Sequence, residues 1–229
     1  TFGTEPYSEQ PLMPTKKIEG LRSDGTLHMD HKLVIHKPIP KEGKLHLEKV
    51  ISAVYDRGEG KGAKINVDII AKDGAGEPVF TNTMGYLNRW AGGFGGPKVP
   101  HSSVVIPERE ADYQIKDAYT ENAPLLYRLT GDTYPLHADP AFAKKAGFDR
   151  PIVHGLCSLG YACRMMIGAL FPGEPERMVS IENQFRAVAL PGDHFTLHVW
   201  KTGENEALFR MVKDSDGKAI LDYGRMTWK

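Results

Sequence analysis

Apolar and polar residues alternate most regularly in Ile65-Asn66-Val67-Asp68-Ile69, which predicts a strand with one buried face over residues 63–71. Stretches of the same texture at 32–36, 45–55 and 79–87 make the first part of the chain mostly β. The tract Ala91-Gly92-Gly93-Phe94-Gly95-Gly96-Pro97, followed by Lys98-Val99-Pro100, suits no regular element and is predicted to be a loop between two lobes. Beyond it the texture changes. Residues 127–130 lead into a loop that runs through His137, a short helix is predicted near 140–146, and 154–170 form an apolar run. A helix apolar on nearly all sides is normally wrapped by other structure, so this one is predicted to be central. The chain then returns to strands at 195–199, 207–212 and 219–228, with a turn at Asp214-Ser215-Asp216-Gly217.

The later strands echo the earlier ones. Pro40-Lys41-Glu42-Gly43 before Leu45-His46-Leu47 resembles Pro191-Gly192-Asp193 before Phe195-Thr196-Leu197, and Lys72-Asp73-Gly74 precedes a last strand as 213–217 does. Repetition in the same order points to duplication, and a sheet wrapped around one helix, built twice, accommodates it. The expected fold class is α+β with mainly antiparallel strands: a first lobe at 1–91, a Gly/Pro-rich linker at 92–118 and a second lobe at 119–229.

Charge and composition narrow the partners. Lys+Arg and Asp+Glu number 29 each, so no general affinity for nucleic acid or an anionic membrane is expected, and an anionic ligand has to be bound locally. With 229 residues, each lobe is long enough to bury a core. Cys157 and Cys163 fall in the predicted helix, where they diverge and cannot pair, so they read as packing residues in a reducing compartment. The apolar run is interrupted by Ser158 and Arg164 and is too short to span a bilayer. Thr1-Phe2-Gly3-Thr4 shows no signal pattern and Thr227-Trp228-Lys229 is not a peroxisomal tripeptide. The compartment therefore stays open: peroxisomal matrix in a eukaryote, cytoplasm in a bacterium.

Candidate chemistry is densest in Tyr127-Arg128-Leu129-Thr130-Gly131-Asp132-Thr133-Tyr134-Pro135-Leu136-His137-Ala138-Asp139-Pro140, where Gly131 and two prolines fix the backbone. An Asp and a His on one rigid loop can share a water, one accepting a proton and the other donating. The structural alternative is that Asp132 caps a turn and His137 packs beneath the loop. Downstream, Arg150-Pro151-Ile152-Val153-His154-Gly155-Leu156 turns from a strand-like approach into the apolar helix at a glycine. The free N–H groups there could polarise a thioester carbonyl, or Gly155 could simply allow close packing.

The full string, Tyr-Arg-Leu-Thr-Gly-Asp-x-x-Pro-Leu-His-x-Asp-Pro-x-Phe-Ala-x-x-Ala-Gly-Phe-x-Arg-Pro-Ile-Val-His-Gly-Leu-Cys, resembles the signature of the MaoC-like (R)-specific enoyl-CoA hydratase type 2 family, which includes the hydratase 2 part of peroxisomal multifunctional enzyme type 2. The likeness continues through His36-Lys37-Pro38-Ile39-Pro40, Asp56-Arg57-Gly58-Glu59-Gly60 and Gly92-Gly93-Phe94-Gly95-Gly96, and so covers nearly the whole chain. It implies a double hot-dog fold and a homodimer, and neither a cofactor nor a metal is expected. The implied reaction is (3R)-specific hydration of trans-2-enoyl-CoA, or its reverse, in fatty-acid metabolism. By resemblance, Asp132 and His137 hold and activate the water and Gly155 donates to the thioester oxygen. His28, Met29, Arg57, Thr133, Tyr134, Pro135, Leu136 and Phe185 would contact substrate, with the first lobe given over to the acyl chain. Met29 stands where the family has glycine, Arg57 where it has lysine, and Tyr134 where it has asparagine.

Hot-dog folds also serve thioesterases, and a duplicated lobe can be left as an acyl-CoA-binding protein, so both remain rival readings. Gly155-Leu156-Cys157-Ser158-Leu159-Gly160 is not a G-x-S-x-G elbow. His28, Asp30 and His31, or Asp132, His137 and Asp139, could be drawn as metal ligands, but neither set has a familiar spacing.

Overall fold

Residues 26–229 are described by a computed structural model; the opening of the first lobe, including Thr1-Phe2-Gly3-Thr4, lies outside them. The strands are β1 (Thr26–Ile35), β2 (His46–Asp56), β3 (Ala63–Lys72), β4 (Pro78–Asn88), β5 (Tyr113–Ala118), β6 (Met178–Phe185), β7 (His194–Gly203), β8 (Glu206–Lys213) and β9 (Ala219–Trp228). Among the described residues three α-helices, α1 (Ala123–Tyr127), α2 (Pro140–Lys145) and α3 (Gly155–Leu170), all lie between β5 and β6. No helix among the described residues is long and apolar enough to cross a membrane.

One sheet holds all nine strands of the described residues, in the order β2-β3-β4-β1-β6-β9-β8-β7-β5, with antiparallel pairing throughout. The order shows the duplication directly. β2-β3-β4-β1 repeats as β7-β8-β9-β6, and the halves meet where β1 pairs with β6. The sequence echoes fall in equivalent places, one before β2 and β7, the other in the turns before β4 and β9. In β3 the alternation holds to the end: Ile65, Val67, Ile69 and Ala71 are at most 2% exposed, and the residues between them face outward.

Three expectations need correction. The stretch 92–118 is not all linker, because β5 lies within it and pairs along β7 from Tyr113 opposite Val199 to Ala118 opposite His194. An edge strand carries polar residues on its outer face, which hid it. Second, the first lobe holds no helix among the described residues; β2, β3 and β4 are joined by short turns with no length for one. Third, α3 is not wrapped on every side. Cys157, Leu159, Ala162, Met165 and Met166 pack against Ile181, Phe195, Leu197, Phe209, Met211 and Leu221, but Gly160, Arg164 and Gly168 form an exposed stripe that has no apolar side chain to bury. Both cysteines are free, as expected.

The glycine tract is pinned to the first lobe. Asp56 accepts hydrogen bonds from the backbone N–H groups of Gly58 (2.8 Å), Gly93 (2.8 Å) and Gly95 (2.7 Å), and those donors hold its carboxyl below the ordinary aspartate range. Gly93 and Gly95 turn their N–H groups inward at φ of 78° and 76°, which side-chain-bearing residues rarely adopt.

Candidate active site

The loop after α1 is built from two single 3-10 turns, at Arg128–Thr130 and Pro135–His137, with Gly131 at φ 119° closing the first. Asp132 lies between them. Its Oδ1 accepts the N–H of Tyr134 at 3.2 Å, so the turn-forming reading of Asp132 holds, yet Oδ2 takes no hydrogen bond from the described residues. Asp139 is committed elsewhere: it caps α2, accepting from Ala141 N (2.8 Å) and Phe142 N (3.2 Å).

His137 Nδ1 lies 2.9 Å from the carbonyl of Ile152. A carbonyl only accepts, so Nδ1 carries the hydrogen and Nε2 presents a lone pair. Beneath it stands His154, which the residue-by-residue reading passed over. The two imidazoles stack at 3.7 Å between centroids with 23° between planes. His154 Nε2 donates to the backbone oxygen of Asp132 at 3.2 Å, fixing its tautomer and tying the base of α3 to the Asp132 turn. Burial lowers the pKa of both rings; in His154 the neighbouring His137 adds to it and brings the value to about 4. Tyr127 lies against His154 at 4.7 Å, tilted by 48°, its phenol pushed upward by burial and then by the charge of Asp132. The one signal that could have found His154 is its place immediately before Gly155.

Side-chain ligand atoms of Asp132, His137 and His154 all lie within 4.8 Å of one another. Two carboxylate or imidazole groups at that separation can hold one water between them by hydrogen bonds. A metal needs lone pairs that converge, whereas two nearly parallel stacked rings direct theirs side by side.

Gly155 is the first residue of α3, so its N–H has no acceptor within the helix. A Cβ added there would meet Phe185 Cδ1 at 2.9 Å, so the close-packing reading of Gly155 is also met. Phe185 then touches His28 at 4.8 Å across the lobe junction. The structure thus brings together Asp132, His137, Gly155, Phe185 and His28. Tyr134 sets its ring edge-on to His137 at 6.2 Å, Pro135 opens the second 3-10 turn, and Leu136 accepts from Ile152 N. Thr133 is exposed and its carbonyl accepts from Arg128 at 3.2 Å. Met29 is the unpaired residue of a bulge in β1. Arg57 lines a groove of about 690 Å³ with Asp56, Gly58, Gly95, Gly96, Lys98 and Val99, which none of Asp132, His137 or Gly155 borders.

Comparison with known proteins gives the same outline. The MaoC-like domain matches residues 102–221 and the MFE-2 hydratase 2 N-terminal domain matches residues 3–89. The chain is 35% identical over 90% of its length to a probable enoyl-CoA hydratase 2 of Dictyostelium discoideum, covering 72% of that protein. It superposes on the crystal structure of a MaoC-like dehydratase from Phytophthora capsici with a TM-score of 0.82 at 32% identity, covering 89% of this chain and 72% of the other. A Mycobacterium tuberculosis protein described as having a double hotdog fold shares the fold at a TM-score of 0.56 and 15% identity, over 88% of this chain and 74% of that one. With its two lobes matched in order by the two domain models, the chain belongs to the MaoC-like hydratase 2 family and has the double hotdog fold.

Proposed function

We propose that this protein hydrates trans-2-enoyl-CoA to the (3R)-3-hydroxyacyl-CoA and catalyses the reverse dehydration. The observation that carries the reading is that the Asp132 carboxylate and a His137 ring nitrogen lie within 4.8 Å of each other on one loop, with the Gly155 N–H at the start of α3 on the segment stacked beneath it. A water held between Asp132 and His137 bonds through its oxygen to C3 of the substrate as the pair takes one of its protons. The electron pair of the C2–C3 double bond moves toward the thioester carbonyl, whose oxygen the Gly155 N–H stabilises. The pair then returns a proton to C2, so H and OH add to one face. Dehydration runs the same steps backwards, and no cofactor enters the balance.

The first lobe supplies the acyl site in this reading, through His28 against Phe185, and Arg57 in its groove supplies a cation for a CoA phosphate. A homodimer is proposed on the same family basis, and the half-or-more exposed Leu125, Leu126 and Leu129 leave an apolar face beside the catalytic loop. The test is loss of enoyl absorbance with crotonyl-CoA, followed by chiral analysis of the product. Asp132→Asn and His137→Ala are each expected to lower kcat by on the order of 10²–10⁴ with the fold retained. Release of free thiol in place of hydration identifies a thioesterase, a mainly S product refutes the stereochemistry, and a folded, fully active variant removes that residue from the mechanism.

A further inference from the structure

Beyond Phe185 the site runs into a row of buried polar groups that the reaction does not use. In a regular strand His28 and His31, three residues apart, would point to opposite faces. The bulge at Met29 shifts the register by one, so both rings turn inward and meet edge-on at 5.6 Å. Across the β1–β6 junction His31 stands opposite Asn183, two residues from Phe185 and therefore on the same face. His31 is 7% exposed and Asn183 3% exposed. His28 Nε2, His31 Nδ1, and both Nδ2 and Oδ1 of Asn183 are buried without a hydrogen-bond partner. Native structures rarely leave four such atoms unpaired in one place. They follow directly on the reaction centre, because Phe185 touches both the Gly155 position and His28.

Desolvation lowers the His28 pKa to about 3 and that of His31 to about 4, so both rings are uncharged at neutral pH. Lys64, whose strand β3 pairs with β4 next to β1, is paired with Asp30 at 2.7 Å. The row therefore offers hydrogen-bond donors and acceptors without net charge. A hydrocarbon chain laid along it would keep all four atoms desolvated and unpaired, whereas an oxygen function would satisfy them. Resting on the hydratase reading above, we propose that His28, His31 and Asn183 form an acyl-recognition wall that selects enoyl thioesters whose chain carries a neutral oxygen, a hydroxyl or keto group, beyond the reacting double bond.

The test compares kcat/KM of the wild-type protein on crotonyl-CoA, trans-2-octenoyl-CoA, and octenoyl-CoA derivatives bearing a hydroxyl or keto oxygen at successive carbons past the double bond. At least one oxygenated chain is expected to exceed plain octenoyl-CoA by tenfold or more. Asn183→Leu is expected to bring that ratio close to one and to raise Tm, since it replaces an unpaired buried amide with an apolar group of similar shape. A merely structural role for Asn183 would leave the ratio unchanged. Plain octenoyl-CoA turned over as well as every derivative overturns the proposal on the wild-type protein alone, whether or not the variant folds. A high wild-type ratio that survives Asn183→Leu also overturns it. Failure on crotonyl-CoA instead removes the hydratase reading, so the two failures are told apart.

Discussion

Between pH 7.5 and 5.5 the protein is expected to lose about 3 kcal/mol of stability through His28 and His31 alone, whose pKa values fall from 6.5 to about 3 and about 4. In the unfolded chain both rings take up a proton as the pH drops through 6.5; in the native state they stay neutral until much lower pH. The folded values are depressed, so the stability they contribute is fully present above the unfolded pKa and is lost as the pH falls toward the folded one. At one pH unit below the unfolded value each ring has cost the native state roughly 1.4 kcal/mol, against a net stability on the order of 5–15 kcal/mol for a typical domain. His137 and His154 are shifted the same way by the same burial and add to the loss. The carboxylates whose values are displaced move away from this window. Asp56, Asp73, Asp112 and Asp216 are held below their ordinary 3.8, so their share is lost only at lower pH. Urea unfolding followed by the fluorescence of the buried Trp200 and Trp228, at steps from pH 7.5 to 5.5, reads the effect as a falling midpoint at constant slope. His31→Gln removes one titrating ring and should shallow the pH dependence by about one proton. A midpoint that stays constant across this range would refute the burial argument for these histidines.

Gly155→Ala puts a methyl 2.9 Å from the Phe185 ring; repacking is expected to cost about 1–3 kcal/mol in a melt and to lower kcat at least tenfold by displacing the N–H donor. Unchanged kcat in the folded variant would clear Gly155 of a catalytic role. Asp56→Asn removes the carboxylate that gathers three backbone N–H groups, so Tm should fall and KM for the CoA thioester rise with kcat largely kept, as Arg57 and the glycine tract loosen together. Equal KM in mutant and wild type would separate that cage from substrate binding. Tyr134→Asn exchanges one hydroxyl on a bulky ring, now edge-on to His137 and Phe142, for an amide that both donates and accepts beside Asp132. With each hydrogen bond regained worth about 1 kcal/mol, kcat/KM on crotonyl-CoA should rise several-fold; no change marks Tyr134 as neutral.

The candidate catalytic loop was legible because its geometry is local: two prolines and Gly131 set the backbone, and Asp132 and His137 both lie within it. Strand β3 was legible for a similar reason, since a period of two survives wherever one face is buried. What escaped depends on contacts between distant segments. His154 matters because α3 begins directly beneath the loop, so that its ring stacks on His137 while its Nε2 holds the Asp132 carbonyl, and neither contact leaves a spacing to read. His28 and His31 escaped for a sharper reason: strict alternation puts them on opposite faces, and only the bulge at Met29 turns both inward. Met29 is the residue left unpaired at that bulge. The inward polar row thus depends on one backbone irregularity: without the bulge at Met29, only one of His28 and His31 could share a face with Asn183.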